Sequence, residues 1–592
     1  MHPMLTYPFN PSEILKKRKK IKRELTEQYT YNIKKKIAVL GGSTTHDITE
    51  ILELFLLNYG ICPEFYESEF GRYFEDAMFG SELQNFSPDI IFIHTSARNI
   101  EKFPEPQMNE NEITVILNEQ YNKFCVMWDT LRAKFGCPII QNNFELPYYR
   151  TLGNRDAYDI HGKTNFIAQL NMKFYSYAQN HFSFFINDIQ YLSADFGLQK
   201  WSDPLYWHMY KYCMCLEAIP YFAFNLSNII KSVYGKNKKA AVLDLDNTLW
   251  GGVIGDDGQE EIEIGHETSV GQVYSEFQSY LKEIKSWGVM LCINSKNDIE
   301  NALLGLNHPE GTLRPEDFVI IKANWENKDK NISEIASELN ILPESIVFID
   351  DNPAERSIVQ SNIPEVAAPN IDRPENYIVT IDRSGFFEAS ELSAEDLKRN
   401  DMYKANAERL KLQKSFENYR DYLLSLEMTA EIKPFMPVYL SRIAQLTNKS
   451  NQFNLTTRRF TEAEIADMAK NDEYICRCGK LTDKFGDNGI VTTVIGRKKA
   501  DQLDLILWLM SCRVLKRGME YAMMDEIAAA SAKDGIKYLH GFYYKTQKNN
   551  MVKNFYSDMG FTKICEKDEN TEWILNLTNY KNKNSTIKIV SE

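Results

Sequence analysis

Cysteine is scarce in this chain: ten in 592 residues, none of them in a CxxC pair. That excludes a zinc ribbon or a thioredoxin-type motif, and the CxC pairs Cys213/Cys215 and Cys476/Cys478 read as buried thiols. Long apolar runs are missing too. No stretch reaches the ~20 residues needed to span a bilayer, and the N-terminus lacks a secretory apolar segment. Basic excess is absent: 68 Lys and Arg stand against 82 Asp and Glu, net −14, which disfavours nucleic acid as the main partner. These absences together point to a protein of the reducing cytoplasm with no membrane span.

The residues present suit packed cores: 43% are hydrophobic and 12% aromatic, too many for a disordered chain. The length suggests about three or four domains. The reading along the chain is a basic N-terminal extension (1–34), an α/β domain (35–230), a second α/β core (236–380), a charged helical connector (381–427), an α+β domain (428–578) and a disordered tail (579–592). The run Lys16-Lys-Arg-Lys-Lys20 reads as the solvated face of a leading helix.

The chain is organised around KAAVLDLDNTLWGGVIGDDG, residues 239–258. Ala240–Leu243 is a short apolar run of the buried parallel-strand kind. Alternation then places Asp244 and Asp246 on one side. Two acids so close at a strand's carboxyl end repel and lose hydration, and a cation offsets both effects. Further on, Val289–Asn294 is a strand ending in Ser295-Lys296-Asn297. Lys328 precedes a helix over 331–339, and Ser345–Ile349 is a strand ending in Asp350-Asp351-Asn352. A doubly wound sheet gathers such strand tips.

The D-x-D-x-T signature resembles the haloacid dehalogenase (HAD) superfamily of aspartyl phosphotransferases. The longer stretch DLDNTLWGGVIGDDG resembles its FkbH-like branch. The resemblance implies a Rossmann-like HAD core with minimal cap, flanked by a flavodoxin-like or SGNH-hydrolase-like N-terminal α/β domain and a GNAT-like C-terminal α+β domain. It implies Asp244 as nucleophile, Asp246 as general acid and base, and Ser295 and Lys328 as holders of the phosphoryl oxygens. Asp244, Asp246 (through its backbone carbonyl), Asp350 and Asp351 would surround Mg²⁺. Thr248, Asn297 and Asn352 would line the substrate. Only residues 250–264 separate the first two motifs, enough for a short flap. Family members commonly place a cysteine, a candidate thioester carrier, where this chain has Asn294. Cys292 lies two residues deeper.

In the N-terminal domain, Ser43 stands where SGNH hydrolases keep their nucleophile and Asn99 where they keep an oxyanion donor. His208, after Asp203 at a longer spacing than usual, is the candidate base; the other reading is a retained docking fold. In the C-terminal domain, Arg513, Lys516, Arg517 and Gly518 occupy the loop that holds a CoA pyrophosphate in GNAT acyltransferases. Lys516 replaces the loop's first glycine, and Tyr556 lies in the closing Phe-Tyr…Gly-Phe element. CoA or the phosphopantetheine of an acyl carrier protein would bind there. The expectation is a Mg²⁺-dependent phosphatase or phosphotransferase acting on a small phosphorylated acid or acyl phosphate, coupled to acyl transfer in polyketide or surface-polysaccharide assembly. The alternatives are a GNAT-led acyltransferase with a subsidiary HAD core, and a scaffold with inactive sites.

Overall fold

The computed structural model describes residues 2–28, 33–390, 392–450, 452–546 and 548–590, which fall into two compact units, Met1–Val233 and Tyr234–Glu592. In the first unit, β1 (Ile33–Gly41), β2 (Ile61–Glu67), β3 (Ile90–His94), β4 (Ile139–Asn142) and β5 (Phe184–Asn187) form one parallel sheet in the order β2-β1-β3-β4-β5. The helix Pro11–Gln28 carries the basic run. It buries Ile14, Ile21 and Leu25 and pairs Arg18 with Glu50 (2.9 Å) and Lys22 with Glu53 (2.6 Å) on the helix His46–Asn58. Half-exposed pairs of this kind add about 0–1 kcal/mol each, so the buried stripe holds the helix.

The second unit begins with β6 (Ala240–Leu243), β7 (Met290–Ser295), β8 (Ile320–Ala323) and β9 (Ile346–Ile349), a parallel sheet in the order β8-β7-β6-β9. Both faces are buried. Ala241, Leu243, Leu291 and Ile293 face the helix Ser269–Ser286 through Phe277 and Leu281; Ala240, Val242, Met290 and Cys292 face the helix Lys328–Glu338 through Ile332 and Ile335. Burial on both faces explains why these strands read as unbroken apolar runs. The stretch 364–388, whose Pro, Asn and Asp content reads in the sequence as a connector, packs on the sheet instead, with Ile371, Tyr377 and Ile381 buried.

The third sheet comprises β10 (Thr429–Lys433), β11 (Phe453–Asn454), β12 (Tyr474–Asp483), β13 (Gly486–Lys499), β14 (Gln502–Met510), β15 (Tyr538–Tyr543), β16 (Thr562–Lys567), β17 (Asn570–Asn576) and β18 (Lys588–Ile589). It is mixed, in the order β16-β17-β15-β14-β13-β12-β10-β18. Two expectations are corrected. Gly486-Asp-Asn-Gly489 reads in the sequence as a hairpin turn, but the turn lies at 484–485, where the Asp483 carboxylate accepts the Phe485 N–H (2.9 Å), and 486–489 continues as β13. The tail is ordered over its described residues, 579–590. Its β18 pairs in parallel with β10, Ile587 is buried, and the Asp525 carboxylate accepts Tyr580 Oη (2.6 Å) and the N–H groups of Lys583 (2.9 Å) and Asn584 (2.9 Å).

Candidate active site

The carboxyl tips of β6, β7 and β9 converge with the start of the helix Lys328–Glu338. Lys328 is nearly fully buried, and its Nζ lies 2.7 Å from Asp244 Oδ2 and 2.6 Å from Asp350 Oδ2. Burial pulls its ammonium pKa down, yet the Asp244 and Asp350 charges outweigh that and leave it above the ordinary lysine value. Asp244, Asp350 and Asp351 each offer an oxygen within 4.8 Å of the others. Burial, and then the charge of Asp244, push Asp350 up to about 6 and raise Asp351 as well. One lysine does not neutralise three crowded acids.

Asp244 Oδ1 is buried and makes no hydrogen bond among the described residues. An orphaned buried acceptor costs about 1–3 kcal/mol, more when charged, unless something fills it. Three hard oxygen donors around such an atom fit Mg²⁺.

Asp246 is held differently. Its Oδ1 accepts the Trp250 indole N–H (3.0 Å) and the Ile254 N–H (3.0 Å), and its Oδ2 accepts Asn297 Nδ2 (3.1 Å). Burial raises its pKa despite these donors, with the neighbouring Asp244 adding to the rise. A carboxyl so placed is suited to carry a proton. Thr248 Oγ1 accepts the Asp351 N–H (3.2 Å) and so ties the β6 and β9 tips together. Asn352 donates its N–H to Asp350 Oδ1 (2.8 Å), and its side chain caps the helix Pro353–Asn362 through the Ala354 N–H (2.9 Å). Ser295, buried, ends β7 beside this cluster. The flap is small: residues 251 and 263 pair as one antiparallel bridge around the single turn Ile254–Asp257.

Among the supporting residues, Arg356, Tyr274 and Tyr377 left no mark in the sequence, and Asn294, singled out only as standing where a cysteine is common, gave no sign of the role it plays. Arg356 donates to the carbonyls of Asp350 (2.6 Å) and Asp351 (2.7 Å) and to Asn370 Oδ1 (2.8 Å), fixing the acidic turn. Tyr377 Oη and Tyr274 Oη donate to the Asn247 carbonyl (3.0 and 3.3 Å), where Asn247 takes the left-handed φ of 53°. Asn294 donates to the Lys328 carbonyl (2.9 Å) and accepts from Asn331 Nδ2 (3.0 Å). It therefore anchors the helix start that carries Lys328. Cys292 is fully buried, and burial pushes its thiol up to about 12.

The other two sets of expected residues are not gathered in the same way. In the first unit, Asn99 Nδ2 donates to the Gly42 carbonyl (3.0 Å), next to Ser43. His208 is exposed on the helix Pro204–Tyr210, and Ser43 Oγ has no hydrogen-bond partner among the described residues, so no Ser–His pair forms. In the third sheet, Arg517 is buried and committed to Asp483 Oδ2 (3.1 Å) and the Arg513 carbonyl (2.8 Å). Lys516 keeps the left-handed conformation a glycine would take there (φ 63°), and Gly518 (φ 83°) opens the helix Met519–Lys533. Tyr556 is a core residue with its ring against Gly541.

Within the 451–459 stretch, Asn451 lies outside the described residues, while Phe453–Asn454 pairs with Met510 and Leu509 of β14. Leu455 then donates to Trp508 O (3.0 Å) and accepts from the Tyr544 N–H (2.9 Å). This segment fills the gap where β14, paired with β15 only through Leu505, diverges from it. A cavity beside it is bounded by Lys239, Arg399, Arg442, Cys512 and Arg513. Only Arg513 of the expected CoA-loop residues reaches that cavity, so the five do not form one cradle for CoA.

The family FkbH, N-terminal domain, matches residues 36–231. Among solved structures, the N-terminal part of the protein BF1531 from Bacteroides fragilis, containing a phosphatase domain and complexed with Mg, is 29% identical. That match covers 63% of this chain and 99% of that one, with a TM-score of 0.58. The ribosomal-protein-S18-alanine N-acetyltransferase of Escherichia coli matches at 13% identity over 26% of this chain and 97% of that one (TM-score 0.21). The paia N-acetyltransferase of Thermoplasma acidophilum, in complex with coenzyme A, matches at 13% identity over 25% of this chain and 99% of that one (TM-score 0.19). No curated protein matches.

Proposed function

We propose that this chain is an FkbH-like protein, as the family match over residues 36–231 and the 29% identity to the BF1531 phosphatase-containing part support, and that the convergence of β6, β7 and β9 is a phosphatase or phosphotransferase site working through an aspartyl-phosphate. The observation that carries this is the free, buried Asp244 Oδ1 beside Lys328 and two further acids. Asp244, Asp350 and Asp351, with the Asp246 carbonyl, would hold Mg²⁺. The bound ion would screen the acids and orient a phosphoryl oxygen.

An Asp244 oxygen attacks phosphorus, and the bond from phosphorus to the leaving oxygen breaks as Asp246 gives that oxygen its proton. Lys328 and Ser295 balance the charge on the equatorial oxygens. Asp246 then takes a proton from water, whose oxygen displaces Asp244 and releases phosphate. The small flap and the buried polar floor fit a small phosphorylated acid or an acyl phosphate. No thioester step is assigned to position 294, since an asparagine cannot form one.

Acyl transfer on the third sheet is the second reading. It is favoured by the cationic cavity bounded by Arg399, Arg442 and Arg513. A phosphatase screen over phosphorylated small acids, with and without Mg²⁺, tests the first reading. Asp244→Asn is expected to lower Mg²⁺-dependent phosphate release on the order of 10³-fold without lowering the melting temperature. Unchanged release in that variant rejects the assignment. If instead CoA raises the melting temperature and Arg513→Ala abolishes that shift, the second reading gains ground.

A further inference from the structure

In the order β2-β1-β3-β4-β5 the winding reverses between β1 and β3, and such a reversal opens a crevice outside the carboxyl ends of the two strands. Ligands of open parallel sheets settle at such points. Ser43 enters it from the β1 side, and Arg98 and Asn99 from the β3 side. We propose that this crevice binds a small carboxylate, with the Arg98 guanidinium as its charge partner and the Ser43 hydroxyl at its floor.

Arg98 is the first ground. Its guanidinium sits between two aromatic rings, 4.6 Å from the centroid of Trp207 and 5.1 Å from that of Tyr148. Among the described residues it makes no ion pair and no side-chain hydrogen bond. The two rings hold the guanidinium in place by cation–π contact and leave its N–H groups without an acceptor among the described residues. A planar fork of this kind matches a carboxylate through two parallel hydrogen bonds.

Ser43 is the second ground, and it is independent of the first. It is 2% exposed, and among the described residues its Oγ has no nitrogen or oxygen partner, with only the weakly bonding Cys213 thiol beside it. The neighbouring polar groups are satisfied: Ser96 Oγ accepts the Arg98 N–H (3.3 Å), and Thr95 Oγ1 accepts Gln141 Nε2 (2.8 Å). The loop that presents Ser43 is built for it. A Cβ on Gly42 would stand 2.4 Å from Asn99 Nδ2, so glycine is what allows Asn99 to clamp this loop. Thr44 ties the loop's other side to the end of the helix Pro204–Tyr210, which carries Trp207, through the carbonyls of Tyr210 (2.6 Å) and Lys211 (3.1 Å).

The neighbours favour binding over hydrolysis, and a monoanion over a dianion. The buried imidazole nearest the crevice, His94, is pinned between Asn142 Nδ2 (2.9 Å) and Cys213 Sγ (3.3 Å), and burial lowers its pKa to about 3. It is spent as a core group and does not serve Ser43 as a base. Glu145 lies buried within the field of Arg98, its Oε2 accepting the Ala97 N–H (3.0 Å), and burial pushes it up to about 7. A phosphate dianion beside that acid meets more repulsion than a carboxylate does.

The test uses the full-length protein and titration calorimetry with sodium lactate, lactamide and inorganic phosphate. Lactate is expected to bind saturably and lactamide not to bind. Arg98→Ala is expected to weaken lactate binding about ten-fold or more, Arg98→Lys to restore it only in part because the fork is gone, and Ser43→Ala to weaken it a few-fold. Melting curves identify any variant that fails to fold; Ser43→Ala, which removes one atom, keeps the test open if Arg98→Ala does not fold. Absent lactate saturation, equal lactate binding by wild type and both Arg98→Ala and Ser43→Ala, or phosphate binding tighter than lactate that Arg98→Ala abolishes and Asp244→Asn leaves unchanged, would each overturn the proposal.

Discussion

Asp350 shows how one carboxyl couples metal, proton and stability. Burial and the adjacent Asp244 charge push its pKa up to about 6, above the ~3.9 of an unfolded aspartate. A raised acid stabilises the fold below its unfolded value and loses that contribution as pH rises through about 6. Mg²⁺ needs the ionised form, so the two act in opposite senses. Mg²⁺ affinity is therefore expected to hold above about pH 6 and to fall up to roughly ten-fold per unit below it. Calorimetric titration of Mg²⁺ across pH 5 to 8 measures this directly, and a flat profile would remove Asp350 from the cage. These acids were legible in the sequence because each sits within two residues of a strand end. Arg356 and Asn294 were not, since what marks them is a partner reached only after folding: two carbonyls around a turn for Arg356, a helix start 34 residues away for Asn294.

At the scale of elements, the doubly wound sheet was readable from the apolar runs 240–243, 289–294 and 345–349, whose ends fell within about one residue of the strands. The hairpin was misplaced because Gly and Asn at 486–489 signal a turn, whereas the Asp483 side chain had already closed one. The junction of β7 with the helix Lys328–Glu338 rests on the Asn294–Asn331 pair. Asn294→Ala leaves the Lys328 carbonyl and the Asn331 amide short of a partner. The expected loss is about 1–3 kcal/mol of stability with a disproportionate drop in kcat, because Lys328 loses its fixed starting point. Denaturant unfolding alongside phosphatase kinetics distinguishes this from a purely structural effect, in which kcat per folded molecule would not change.

For the molecule as a whole, the tail was the largest misreading. Its polar composition describes a segment that cannot build a core of its own. It does not reveal that Asp525, more than fifty residues upstream, waits with a carboxylate for three donors, or that β10 has an open flank. Deleting residues 579–592 is expected to lower the melting temperature by a few degrees, since it strips Asp525 of those donors and removes the buried Ile587. A deletion protein that melts with the full chain would show the docking to be incidental. The two-residue pairing of β18 has a further consequence. It is the only cover on that flank of β10 among the described residues, and it is short enough to lift. Whenever it does, the exposed N–H and C=O row becomes a template for any extended peptide in solution, another copy of this chain included, so self-association at high concentration should begin at the C-terminus.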